Sequence, residues 1–203
     1  MDAAQIAPQL WRWTAPHPEW EPDAEPESPG DWPQLVGSVQ FESRDGIVVF
    51  VDPQLPSDPA VLWAWADERV RGRPVFVVTT VEWHDRSREA FLERYAAVDF
   101  APRDIELLPF PGLGETMVWI PAHRTLVPGD RIIGARGGGL RLCPESWLRH
   151  LPEKPRLADL RAQLEPLLGL PVERVLVSHG QPVLSGGAEA LSAPCSSPDG
   201  GTP

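Results

Sequence analysis

The chain has 203 residues, enough for one domain with a substantial core. Its 18 Lys and Arg against 29 Asp and Glu leave a formal charge of −11, so its average face repels a nucleic-acid backbone or an anionic membrane surface. The longest apolar runs, such as Gly46 to Val51 and Pro74 to Val78, are too short to span a bilayer, and Met1 to Leu10 lacks the order of an export signal, so a soluble, cytoplasmic protein is expected. The two cysteines, Cys143 and Cys195, lie far apart and build neither a disulfide framework nor a thiolate zinc site.

Proline is the anomaly, at 25 residues against a usual share of ~5%. Because proline blocks helix interiors and cannot donate to a ladder, the chain must consist of short elements joined by fixed turns, which excludes an all-helical bundle. Nine tryptophans imply a core and cleft walls built from large rings.

Residues 5–14 read as a short strand carrying Trp11 and Trp13. An acidic, Pro-rich loop over 17–33 follows, expected to be extended and solvated, with Trp20 and Trp32 at its ends. Val36 to Glu42 and Ile47 to Val51 are predicted strands, joined by the hairpin signal Arg44-Asp45-Gly46. Asp52 emerges at the end of the second strand. Ser57-Asp58-Pro59 opens a helix with Ser57 as its cap, bearing Val61, Leu62, Trp65 and Val70. Val75 to Thr80 is a continuous apolar strand of the kind buried on both faces. A second helix is expected from Ser87 to Ala97.

Ile105 to Phe110 is the next strand, then a hairpin of Glu115 to Pro121 with Thr125 to Pro128. Arg131 to Ile133 continues the β structure. Leu157 to Leu168 carries its leucines on one helical stripe and stops at Gly169. Val172 to Val177 is the last strand, ending in Ser178-His179-Gly180. The Ser-, Pro- and Gly-rich residues 192–203 read as a disordered tail, leaving 1–191 as a single domain. Trp63, Trp65, Trp119 and Trp147 are assigned to the core, and His17, His123 and His150 to surface or capping positions.

Polar groups therefore collect at strand ends: Asp52-Pro53, then Thr79-Thr80-Val81-Glu82-Trp83-His84-Asp85-Arg86-Ser87, then Gly129-Asp130, then Ser178-His179-Gly180. Their order and rough spacing resemble the metallo-β-lactamase superfamily over about Val36 to Leu191. The resemblance implies an α/β fold, an αββα sandwich of two mixed β-sheets flanked by helices, with a metal site at one edge. In that family the metals are held by a His-x-His-x-Asp-His loop, a later His, a Gly-Asp carboxylate and a final His beside Gly. Asp130 and His179 match. The loop departs in either of two registers. With Thr80 in the family's Thr position, Val81 and Trp83 replace the first two histidines, Asp85 matches the Asp and Arg86 replaces the last His. With Glu82 and His84 as the His-x-His pair, Arg86 and Ser87 stand for Asp-His. Leu113 occupies the place of the third His.

A catalytic zinc takes three or four N, O or S ligands and keeps an open position. The available donors are Glu82, His84, Asp85, Asp130 and His179, enough for one divalent ion, zinc by the resemblance, and too few imidazoles for two. Asp85 or Asp130 would orient the attacking water, with Asp52 and Arg86 lining the site. Two readings of function stand side by side. One is a metal-dependent hydrolase acting on an ester, thioester or similar bond of a small molecule. The other is a metal-free, non-catalytic binding or interaction module, in which Arg86 fills the cation's place and pairs with Asp130 or Asp52. Oligomeric state is not legible in the sequence.

Overall fold

A computed structural model describes residues 3–195, and the rest of the tail predicted for 192–203 lies outside the described residues. β1 (Ala4–Ala7) and β2 (Leu10–Pro16) form a hairpin in place of the single strand expected over 5–14, because Gln9 takes a left-handed conformation that turns the chain. β3 (Leu35–Glu42) and β4 (Val48–Val51) follow, with Gly46 in the turn between them. Helix α1 (Pro59–Val70) is capped by Asp58, whose side chain accepts from the Ala60 amide, rather than by Ser57. It crosses over to β5 (Val75–Val78), which pairs parallel with β4. The first sheet runs β1-β2-β3-β4-β5 and is mixed.

After β5 the chain makes a 3-10 turn over Glu82–Asp85 and enters α2 (Arg88–Arg94). β6 (Glu106–Phe110), β7 (Glu115–Ile120) and β8 (Thr125–Val127) are antiparallel neighbours, and β11 (Arg174–Val175) joins β8 in parallel, giving a second mixed sheet ordered β11-β8-β7-β6. β9 (Ile132–Gly134) and β10 (Leu140–Leu142) form a separate hairpin leading to the short helix α3 (Glu145–Leu148). The helix expected over Leu157 to Leu168 is α4 (Leu157–Leu164) followed by a 3-10 turn over Glu165–Gly169, since Pro166 cannot continue the α-helical ladder. α5 (Gly187–Cys195) carries Ser192 to Cys195, so the helix reaches into the segment that composition assigns to the tail.

Period-two alternation separates three apolar layers. On β4, Val49 and Val51 face the space between the sheets, where they meet Val118 and Ile120 of β7. Val48 and Phe50 face the other way, against Leu62, Ala66 and Val70 of α1. On β7, Met117 and Trp119 turn toward Leu160, Leu164 and Leu191 of α4 and α5. Each buried valine, leucine, isoleucine, phenylalanine or methionine among them stabilises the fold by about 1.5–3 kcal/mol on leaving water. The result is an αββα sandwich. At one edge the two sheets are stitched together by a bridge between Val36 and His179 and by the Thr116 amide donating to the Thr80 carbonyl at 2.8 Å. The loops after β4, β5, β8 and β11 converge there.

Candidate metal centre

Each strand end delivers one polar side chain. β4 ends in Asp52, which adopts a left-handed φ of 46° and turns its carboxylate under the loop that follows β5. That carboxylate accepts from the Thr80 amide at 2.8 Å and the Thr80 hydroxyl at 2.5 Å. Its Oδ2 also lies 2.9 Å from His84 Nδ1. The other nitrogen of the same ring, Nε2, stands 2.9 Å from Asp130 Oδ1, and His179 Nε2 stands 3.2 Å from that oxygen. All five residues are buried.

Asp130 is held from behind. The Glu115 carboxylate, at the start of β7, accepts from the amides of Gly129, Asp130 and Arg131, each at 3.0 Å. Gly129 packs so tightly that a Cβ there would lie 2.6 Å from Thr80 Oγ1. The indole N–H of Trp83 donates to Asp130 Oδ2, leaving Oδ1 for the two imidazoles. His179 is fixed by its backbone, whose carbonyl accepts from the Gly134 amide at 2.8 Å.

His84, Asp130 and His179 offer one ligand atom each, and these atoms lie within 4.8 Å of one another. The fit to a cation can be tested on the atoms themselves. His84 Nε2 and Asp130 Oδ1 are close, yet both are sealed from water without an aligned hydrogen bond. Two imidazole nitrogens and one carboxylate oxygen suit zinc and similar divalent ions. A carboxylate on the far nitrogen of a ligating histidine, as Asp52 provides for His84, is the usual means of fixing its tautomer and raising its basicity. The donor set therefore fits a single divalent ion.

The electrostatics agree. Burial opposes charge on His84, but Asp130 and Asp52 overcome it and raise its pKa to about 9. Burial keeps His179 below its ordinary value, against the pull of Asp130. Burial works against both aspartates as anions, yet His84 holds Asp52 below the usual carboxylate range, and His84 with His179 holds Asp130 well below it. Without a metal, His84 carries the proton that balances the cluster, so a cation binding there releases it.

Arg86 is also drawn in. Its guanidinium donates to Ser178 Oγ at 2.7 Å and to the carbonyls of Gly37 at 3.3 Å and Asp52 at 3.4 Å. It thus ties three strand ends together by way of Ser178 and backbone oxygens, not by pairing with the Asp130 carboxylate. Glu82 and Asp85, offered by the sequence as ligands, lie outside the cluster and are exposed. The segment is a 3-10 turn, with three residues per turn, so positions 82 and 85 share the outward face while 84 points in.

Above the cluster opens a cavity of about 440 Å³. His84, Asp130 and His179 form part of its lining, with Trp83 and Arg86. Trp32, Trp147, His17 and His150 also line it, the first three with their rings beside that of His179. The 17–33 loop is docked over this space. Ser146 Oγ donates to the Glu27 carbonyl at 2.6 Å, Trp147 Nε1 to the Ser28 carbonyl at 3.3 Å, and Arg136 and Arg141 pair with Asp31 and Glu27. Trp147 is thus both a core residue and a cavity wall, its ring 5.4 Å from that of His179. Sequence reasoning misses His17, His150, Trp83 and Glu115 as parts of this site, since none lies at a spacing that marks it.

No sequence-family profile matches the chain, and no curated protein matches it. Solved structures do. The chain superposes on TMB-1 with a TM-score of 0.57 and 14% identity, covering 95% of this chain and 97% of that one. It superposes on the metallo-β-lactamase from Erythrobacter litoralis, solved with β-mercaptoethanol in the active site, with a TM-score of 0.57 and 12% identity over 95% of each chain. The metallo-β-lactamase from Pontibacter korlensis matches with a TM-score of 0.53 and 15% identity, over 96% of this chain and 98% of that one. The chain carries the metallo-β-lactamase fold, with a reduced cluster of three residues that could hold a metal.

Proposed function

We propose that the protein is a hydrolase using one divalent metal ion, held by His84 Nε2, Asp130 Oδ1 and His179 Nε2, that cleaves an ester, thioester or similar bond of a small molecule. The convergence of these three atoms within 4.8 Å beside a cavity of molecular size carries this reading. A bound cation would supply Lewis-acid polarisation of the scissile group and a locally acidified water. The chain supplies the rest. Asp52 orients His84, Glu115 and Trp83 fix the Asp130 carboxylate, and Trp32 and Trp147 exclude water and embrace an apolar substituent. Arg86 adds positive charge at the cavity edge.

One observation favours the metal-free binding module instead. Asp52, His84 and Asp130, with Arg86 close by, already form a charge network that balances without a cation. The test is to strip the protein with chelator and add zinc, manganese or iron(II). The hydrolase reading expects one metal per chain by elemental analysis. At a hundredfold excess over Kd, binding should add about 2.7 kcal/mol of stability, a rise of roughly 5–10 °C in Tm for a domain of this size. Turnover of p-nitrophenyl acetate or an acyl thioester should appear with the metal, and His179→Ala should abolish both effects. Protein that gains neither stability nor turnover from any of the three metals is the binding module.

A further inference from the structure

The cavity is lined by two imidazoles that the metal-holding set does not use, His17 and His150. His17 opens the loop after β2 and lines the cavity. The Glu19 amide donates to its Nδ1 at 3.0 Å. An amide N–H can only donate, so Nδ1 is the acceptor and Nε2 keeps the one proton of the neutral ring. Trp32 lies against the ring with centroids 4.8 Å apart and planes inclined by 32°, and the His17 amide is tied to the Gln34 carbonyl at 2.7 Å. Both contacts limit the ring's freedom. Its centroid is 6.2 Å from that of His179, so His17 stands beside the cluster, but its nitrogens are not among the ligand atoms of His84, Asp130 and His179 that lie within 4.8 Å of one another.

The geometry points to His17 Nε2–H as a fixed donor to a substrate oxygen that gains negative charge, namely the carbonyl oxygen of an ester or thioester and then a carboxylate oxygen of the acid released. The assignment rests on the hydrolase reading for its catalytic meaning. A neutral donor set in place before the reaction strengthens its bond as charge develops on the acceptor, without reorganising and without repelling a cation nearby. Glu19 acts as a positioning residue through its backbone alone.

Nitrogen-15 NMR of the imidazoles at pH 7, with acetate as the probe, tests this in both metal-free and zinc-loaded protein. His17 should report a neutral Nε2–H tautomer whose proton shifts as acetate binds. His17→Phe, which preserves a ring against Trp32, should weaken acetate binding about tenfold. His17→Gln, which restores an N–H donor, should recover most of that loss, and zinc affinity should stay unchanged in both variants. A His17 ring that is cationic or protonated at Nδ1, equal acetate affinities for wild type and His17→Phe, or a loss of zinc affinity in His17→Phe would each overturn the proposal. Failure of the wild type to bind zinc removes the hydrolase reading only. The acetate comparison in metal-free protein then decides the donor's role on its own.

Discussion

Asp52 and His84 meet at 2.9 Å between Oδ2 and Nδ1, and both side chains are almost completely removed from water. The pair links the end of one strand to the turn after its parallel neighbour. It also sets the protonation of the ring whose far nitrogen faces Asp130.

Asp52→Asn should therefore act on stability, on metal affinity and on pH dependence. Breaking a buried pair of this kind costs about 3–5 kcal/mol. Loss of the carboxylate behind a ligating histidine weakens a metal by about 10–100-fold. In metal-free wild type, the pKa of His84 is raised from 6.5 to about 9 in the folded state. Its contribution to stability is fully present below 6.5 and is lost as pH rises through 9. Glu115, raised from 4.5 to about 7 chiefly by burial, has the same sign over a lower window. Urea midpoints should fall across both windows in wild type. In Asp52→Asn the upper decline should shrink and move to lower pH.

Gly180→Ala addresses the seat of His179. Gly180 has a φ of 86°, and a Cβ there would lie 2.8 Å from the Gly134 carbonyl oxygen and 2.9 Å from Gly134 Cα. Backbone strain of ~1–2 kcal/mol and overpacking of ~1–3 kcal/mol should combine to a loss of roughly 2–5 kcal/mol in denaturant unfolding. Because the neighbouring residue is one of the three candidate ligands, zinc affinity measured by competition with a chromophoric chelator should fall with it.

Gln40→Met should stabilise the protein. Gln40 of β3 is fully buried, and among the described residues neither its side-chain oxygen nor its nitrogen has a hydrogen-bond partner. Methionine replaces the amide with an unbranched apolar chain of similar length. Removing an unpartnered buried amide should gain about 1–3 kcal/mol. Equilibrium urea denaturation measures it, and an unchanged or lowered midpoint contradicts it.

Most of the sheet framework was legible because period-two alternation and buried apolar runs survive in any register. β3, β4, β5, β7 and β8 fall within a residue or two of where their side chains place them. Asp130 and His179 were legible through the family resemblance, which expects a carboxylate after glycine and a histidine beside glycine at strand ends in that order. The 82–86 loop was not. It offers three candidate donors within four residues, Glu82, His84 and Asp85, and an extended chain and a 3-10 turn project different ones inward. Only packing against Asp52, 32 positions away, and Thr80, four positions away, selects His84 over Glu82 and Asp85. The 17–33 loop was equally opaque: its composition reads as solvated, whereas its anchors are Ser146, Trp147, Arg136 and Arg141, more than a hundred residues away.

That docking places Glu19, Glu21, Asp23, Glu25 and Glu27, all exposed, on the loop that forms one wall of the cavity. Like charge gathered beside an entrance sorts incoming molecules by sign before any contact is made. Neutral and cationic compounds should reach the interior readily in dilute buffer, while anions are slowed until added salt shortens the reach of the field. The same segment that closes off the cleft thus also filters its traffic.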